Sequence, residues 1–166
     1  MTHSKILYTL LIISSINLTL MVPGGPVETR DFSHINASIL SAFNIFLTAL
    51  GMVSLFLPYF IYKQQNWAIR IAFLCGISYL TVFGIDLIKL FPKSPTPMPV
   101  SLLIMEVLGI ILSIPLIYYS IKKMKDATIS QKAIRLSKMS YLLIGVVIII
   151  ALFIIIFATN AAMTSN

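Results

Sequence analysis

Charge is scarce in this 166-residue sequence: 10% of its residues are charged and only 5 are Asp or Glu, against roughly 25% charged residues in an ordinary soluble domain. There is one cysteine, Cys75, inside a hydrophobic run. That excludes an intrachain disulfide and any multi-cysteine metal or redox motif, and with them thiol oxidoreductase chemistry. The two histidines form no zinc-type spacing. A phosphate loop, a Gly-rich dinucleotide turn and a Ser nucleophile elbow are all missing. No repeat of the 20 to 50 residue class is visible, and no inverted repeat of the transporter kind.

What remains is apolar. Hydrophobic residues make up 58% of the chain and the mean hydropathy is +0.98. A water-soluble globule has no interior large enough to hide that surface. Lipid is the natural solvent, because about 20 apolar residues in a helix match a hydrocarbon core of roughly 30 Å. The sequence therefore predicts one domain, residues 1–166, built as an all-α integral membrane protein with about five transmembrane helices. The expected spans are residues 5–22, 39–62, 67–91, 100–121 and 140–158. The first resembles a signal sequence but lacks a small-x-small cleavage site and ends in Val22-Pro23-Gly24-Gly25-Pro26, so it is expected to stay as a helix.

Basic residues orient these spans. Lys5, Lys63, Arg70, Lys122, Lys123, Lys125, Lys132, Arg135 and Lys138 fall on one side, whereas Arg30, Lys89 and Lys93 fall on the other. Positive charge accumulates on the cytoplasmic side. The expectation is an N-terminus inside and a C-terminus outside, in a plasma or inner membrane. Tyr59, Tyr62, Trp67, Tyr118 and Tyr119 would mark the inner boundary as an aromatic belt. The net charge of +7 then reflects orientation and attraction to anionic lipid at the inner face, and no nucleic-acid partner is expected. The segment from Lys122 to Lys138 reads equally as a short amphipathic helix on the membrane surface or as a solvated basic loop.

Polar residues within apolar spans carry the remaining information, since each is costly in hydrocarbon and must face other helices, water or a pathway. Ser41, Asn44, Thr48 and Gly51 share one face of the second span. Tyr79, Asp86 and Lys89 share a face of the third, Glu106, Gly109 and Ser113 one of the fourth, and Ser14 and Asn17 lie in the first. The fifth span is Ile-rich and lacks such a stripe, which predicts a peripheral helix on a four-helix core. Asn17, Asn44, Asp86 and Glu106 all fall roughly 7 to 10 Å below the outer boundary at 1.5 Å per residue. Above them lies a loop carrying Glu28, Arg30, Asp31 and His34.

These nine residues, Asn17, Glu28, Arg30, Asp31, His34, Asn44, Asp86, Lys89 and Glu106, are the candidate ligand-binding set. A purely structural cluster accounts for the same positions: Asp86 and Lys89 are spaced for a pair within one helix, and Glu106 has Lys89, Asn44 and Arg30 as cross-helix options. No catalytic residue, metal set or cofactor is assigned. The favoured reading is a non-enzymatic protein whose outer polar cavity takes a small ligand, ion or lipid headgroup, or docks a larger membrane complex as an accessory subunit. Its small size favours a homo-oligomer or a complex partner. The alternatives are an outer-face enzyme using Glu106 or Asp86 as acid or base with Arg30 or Lys89 holding an anion, and a transporter formed by oligomerisation.

Overall fold

A computed structural model describes residues 2–126 and 138–163. Within them the chain is all-helical: α1 (Thr2–Leu20), α2 (Ala37–Tyr62), α3 (Asn66–Leu87), α4 (Val100–Asp126) and α5 (Lys138–Met163). Three of these, α2, α3 and α4, are long and apolar enough to cross a membrane, which marks the chain as a membrane protein. The choice between an amphipathic helix and a basic loop falls on residues 127–137, outside the described residues.

Local chemistry sets the helix ends. Asn36 caps α2 by accepting a hydrogen bond from the Ser38 backbone N–H at 2.9 Å, satisfying an otherwise orphaned donor. α3 stops at Leu87, four residues short of the expected end. Lys89 adopts a positive φ of 56°, and its N–H turns back to the Asp86 carbonyl at 2.8 Å, an ending in which a left-handed residue closes the last turn. Pro92 follows and cannot extend a helix. α4 runs one turn further than expected, to Asp126, with Lys123 and Lys125 in its last turn, where cations complement the helix dipole.

α1 to α4 form one bundle in which α3 packs against α4, α1 against α2 and α4, and α2 against α3. Leu7, Leu11, Leu50, Leu57, Ile61, Ala72, Cys75, Tyr79, Phe83 and Leu116 are buried in its core. Lipid tails are as apolar as leucine, so helices in a membrane associate through close packing rather than through apolar burial. The α3/α4 contact shows this at two glycines. Gly76 lies against Ile117, and Gly109 lies directly under the Phe83 ring, where a Cβ would collide with ring carbons. Phe83 in turn stacks on Tyr79, with centroids 6.0 Å apart and planes at 10°.

Among the described residues α5 packs on α2 and on no other helix, as its uniform apolarity predicted. Phe153 is 70% exposed and Ile148, Ile149, Leu152, Ile156 and Phe157 are exposed beside it. Its C-terminal end is built in: Ala158 and Ala162 are buried, and the Ala162 carbonyl accepts the Phe32 N–H at 3.3 Å. That small-residue end is a stripe the sequence reading passed over.

Candidate functional site: a buried charged cluster

The α1–α2 connection and the α3–α4 connection meet at one end of the bundle. Gly24 has φ +78°, and a Cβ there would strike Ala161 of α5, so glycine is needed for the backbone turn and for the close approach of α5. Beyond it the chain runs over the bundle. The Asp31 N–H donates to Thr96 Oγ1 at 3.1 Å, and the Ser94 hydroxyl donates to the Asp31 carbonyl at 2.9 Å. The two loops are thereby stitched together by short hydroxyl side chains of the proline-rich segment.

This geometry aims Arg30 into the bundle. Its side chain is 5% exposed. Nη1 and Nη2 donate to Asp86 Oδ1 and Oδ2 at 2.8 and 2.7 Å. Nε and Nη2 donate to Glu28 Oε1 and Oε2 at 2.9 and 2.6 Å. One guanidinium therefore makes two bidentate pairs, the geometry for which its planar fork is suited. The Glu28 Oε1 atom also accepts the Arg30 backbone N–H at 3.0 Å, and the guanidinium carbon sits 5.2 Å over the Phe32 ring. Burial disfavours the Arg30 charge, but hydrogen bonds to Asp86 and Glu28 and their negative charges outweigh it, so the Arg30 pKa lies above the ordinary arginine value.

Glu106 completes the cluster differently. It is 0% exposed, and its Oε1 lies 4.0 Å from Arg30 Nη2, beyond hydrogen-bond length. Both Nη2 hydrogens are already directed to Glu28 and Asp86. Neither Glu106 oxygen accepts a hydrogen bond from a fixed donor; the neighbouring Asp86 carboxyl is within its reach, and the two can bond only through a proton carried by one of them. A carboxyl in such a place requires a proton, a donor or a cation, because an isolated buried charge is strongly disfavoured.

The nine sequence candidates thus divide. Glu28, Arg30, Asp86 and Glu106 come together, from one loop and two helices. Asn44 lines a small cleft of about 50 Å³ with Glu28, Arg30 and Asp86, and its amide donates to Thr159 Oγ1 of α5 at 3.1 Å. Asn17 is buried and donates to the carbonyl of Met105 at 3.0 Å, which ties α1 to the residue preceding Glu106. Asp31 accepts from Ser33 at the surface. His34 and Lys89 are exposed. The expected Asp86–Lys89 spacing within one helix does not arise, because α3 ends between them and Asp86 takes Arg30 instead. Asp86 consequently stands one residue from the end of α3 rather than well inside it.

Ser94, Thr96 and Thr159 were not among the candidates. Ser94 and Thr96 belong to a Ser-x-Thr pair in a proline-rich turn, a local signal for side-chain to backbone bonding. Thr159 follows the Ile-rich run immediately, and its polarity at that point was its only mark. Among the described residues, no group of three or more His, Cys, Asp or Glu side chains is arranged to hold a metal ion.

The class so defined is an all-α membrane bundle with a loop arginine locked between buried carboxylates at one end. The chain belongs to the family described as a domain of unknown function, DUF8051, whose model matches residues 3–137. That match takes in α1 to α4 and every candidate residue, and it stops where α5 begins. No curated relative and no solved structure matches the chain.

Proposed function

We propose that this is a non-enzymatic multi-pass membrane protein, N-terminus inside, whose outer-side cluster binds a small cation or a primary ammonium group. The observation that carries this reading is Glu106: a fully buried carboxyl, 4.0 Å from a guanidinium whose nearest nitrogen is committed elsewhere, with neither oxygen accepting a hydrogen bond from a fixed donor. Three carboxyl groups surround one positive charge, so the site takes up either a proton, shared between Glu106 and Asp86, or a second cation. Arg30, Glu28 and Asp86 hold the loop on the bundle. Glu106 adds a charge that this lock does not use. The cleft beside the lock, about 50 Å³ and lined by Glu28, Arg30, Asp86 and Asn44 though not by Glu106, has room for a group of water or small-ion size. A primary ammonium brings N–H donors that a quaternary one lacks.

The test is thermal unfolding of the purified full chain in detergent with added sodium, potassium, methylammonium or tetramethylammonium chloride. Binding to the folded state at 100 times Kd stabilises by about 2.7 kcal/mol. The expected result is saturable stabilisation by one small cation or by methylammonium, none by tetramethylammonium, and a weakened effect in Glu106→Gln. Equal, non-saturating responses to all four salts would show ionic strength alone and end this reading.

A further inference from the structure

The bundle has a second cavity, which borders the charged-cluster cleft along Leu18, Met21, Asn44 and Leu47. α1 and α5 both pack on α2, yet they make no contact with each other among the described residues. Between them runs a groove of about 270 Å³, walled by Leu18 and Thr19 of α1, Val22 just beyond it, Thr48 and Met52 of α2, and Ile150 and Ile154 of α5. Three of its polar side chains are engaged with the protein: the Ser15 hydroxyl donates to the Gly51 carbonyl at 2.9 Å, the Thr19 hydroxyl to the Ser15 carbonyl at 2.8 Å and the Asn44 amide to Thr159 Oγ1 at 3.1 Å, so the wall is mainly apolar.

We infer that this groove holds one acyl chain of a bilayer phospholipid as a resident ligand. Two observations converge on that occupant. The groove lies along α2, a helix long and apolar enough to cross a membrane, and its wall residues Leu55 and Ile150 are exposed, so its open side faces hydrocarbon. The gap is also fixed rather than collapsible. The outer end of α5 is pinned by the Asn44–Thr159 and Phe32–Ala162 hydrogen bonds, and Ala161 is seated on Gly24. An unfilled slot would forfeit the dispersion contacts of its walls, and a flexible methylene chain supplies them.

The experiment uses the full chain reconstituted in phosphatidylcholine vesicles containing a trace of phosphatidylcholine with a diazirine midway along one acyl chain, photolysed and mapped by mass spectrometry. The expected pattern is labelling of Thr48, Met52 and Ile154 several-fold above that of Ile104, Ile111 and Ile114, which are exposed on α4. Filling the slot from either wall, by Thr48→Phe or by Ile154→Trp, should cut groove labelling at least threefold and leave α4 labelling unchanged. Equal labelling of groove and α4 in the unaltered chain overturns the inference without reliance on any variant. Groove labelling that falls as the protein-to-lipid ratio rises overturns it in favour of a second copy.

Discussion

Arg30 and Asp86 face each other end-on, two guanidinium nitrogens against two carboxylate oxygens at 2.8 and 2.7 Å, although 56 residues separate them in the chain. The pair joins the α1–α2 loop to the last turn of α3. With Glu28 on its other edge, Arg30 converts a glycine- and proline-rich connection into a fixed cover over the bundle. Buried pairs of this kind add little net stability compared with an apolar filling, but removing one partner strands the other.

Arg30→Met should therefore destabilise the protein by about 3–5 kcal/mol, since it leaves Glu28 and Asp86 buried without a cation. Arg30→Lys should fall between the two, because an ammonium cannot make two bidentate pairs. Chemical unfolding in mixed micelles measures both. The raised Arg30 pKa fixes the sign of the pH effect: its contribution is fully present below the ordinary arginine value and is lost only as pH rises through the still higher folded value. Mild alkali should leave the Arg30-dependent part of the stability unchanged.

Topology gives a second expectation. Helix alternation puts both loops of the cluster at one end and Lys63 at the other, and the basic residues assign the Lys63 end to the cytoplasm. In a Cys75→Ala background, His34→Cys should react with a membrane-impermeant maleimide in intact cells, and Lys63→Cys only after permeabilisation. The opposite order would invert the orientation.

Two glycines of the third and fourth helices should behave oppositely. A methyl group at Gly109 would run into the Phe83 ring, and Phe83 is held by its stack on Tyr79. Gly84 has nothing within 4 Å of its added Cβ. Gly109→Ala should cost about 1–3 kcal/mol by overpacking, while Gly84→Ala should be neutral or mildly stabilising. Paired unfolding curves suffice, and equal losses in both would mean that the α3/α4 contact is not set by Gly109.

The contrast between these positions shows what was legible in the sequence. Apolar runs and basic asymmetry gave all five helices to within a few residues, because bilayer thickness and backbone satisfaction leave few alternatives. The peripheral place of α5 followed from its lack of a polar face. Asp86 and Glu106 were found because a charge within an apolar run is conspicuous wherever it points. Arg30 was among the options for Glu106, but its pairing with Asp86 was not readable: Arg30 lies in a loop, and its direction depends on the Gly24 turn and on the Ser94 and Thr96 bonds to Asp31. Lys89 failed as a partner for the same reason in reverse, since a left-handed residue at a helix end redirects the side chain that helical spacing alone would have aligned.

Glu106 and Asp86 supply the sharpest comparison, because they approach the same guanidinium on different terms. Asp86 accepts two short hydrogen bonds from Arg30; Glu106 accepts none and stands 4.0 Å away. Asp86→Asn removes a charge that Arg30 uses, and should cost about 3 kcal/mol or more. Glu106→Gln removes no hydrogen bond from Arg30 and brings two N–H donors, able to replace a shared proton toward Asp86, into a site rich in carboxylate oxygens, so its cost should stay within about 1 kcal/mol and its sign is expected to be stabilising. The Arg30→Met background sharpens this. With the guanidinium gone, three carboxyl groups remain without a cation, and adding Glu106→Gln should recover part of the lost stability, whereas a true Arg30–Glu106 pair predicts no recovery beyond loss of the single-variant cost. Four unfolding curves, for the unaltered chain, each single variant and the double variant, close this cycle. A Glu106→Gln loss as large as that of Asp86→Asn, abolished when Arg30 is absent, would make Glu106 a third arm of the lock and remove the unused carboxyl on which cation binding rests.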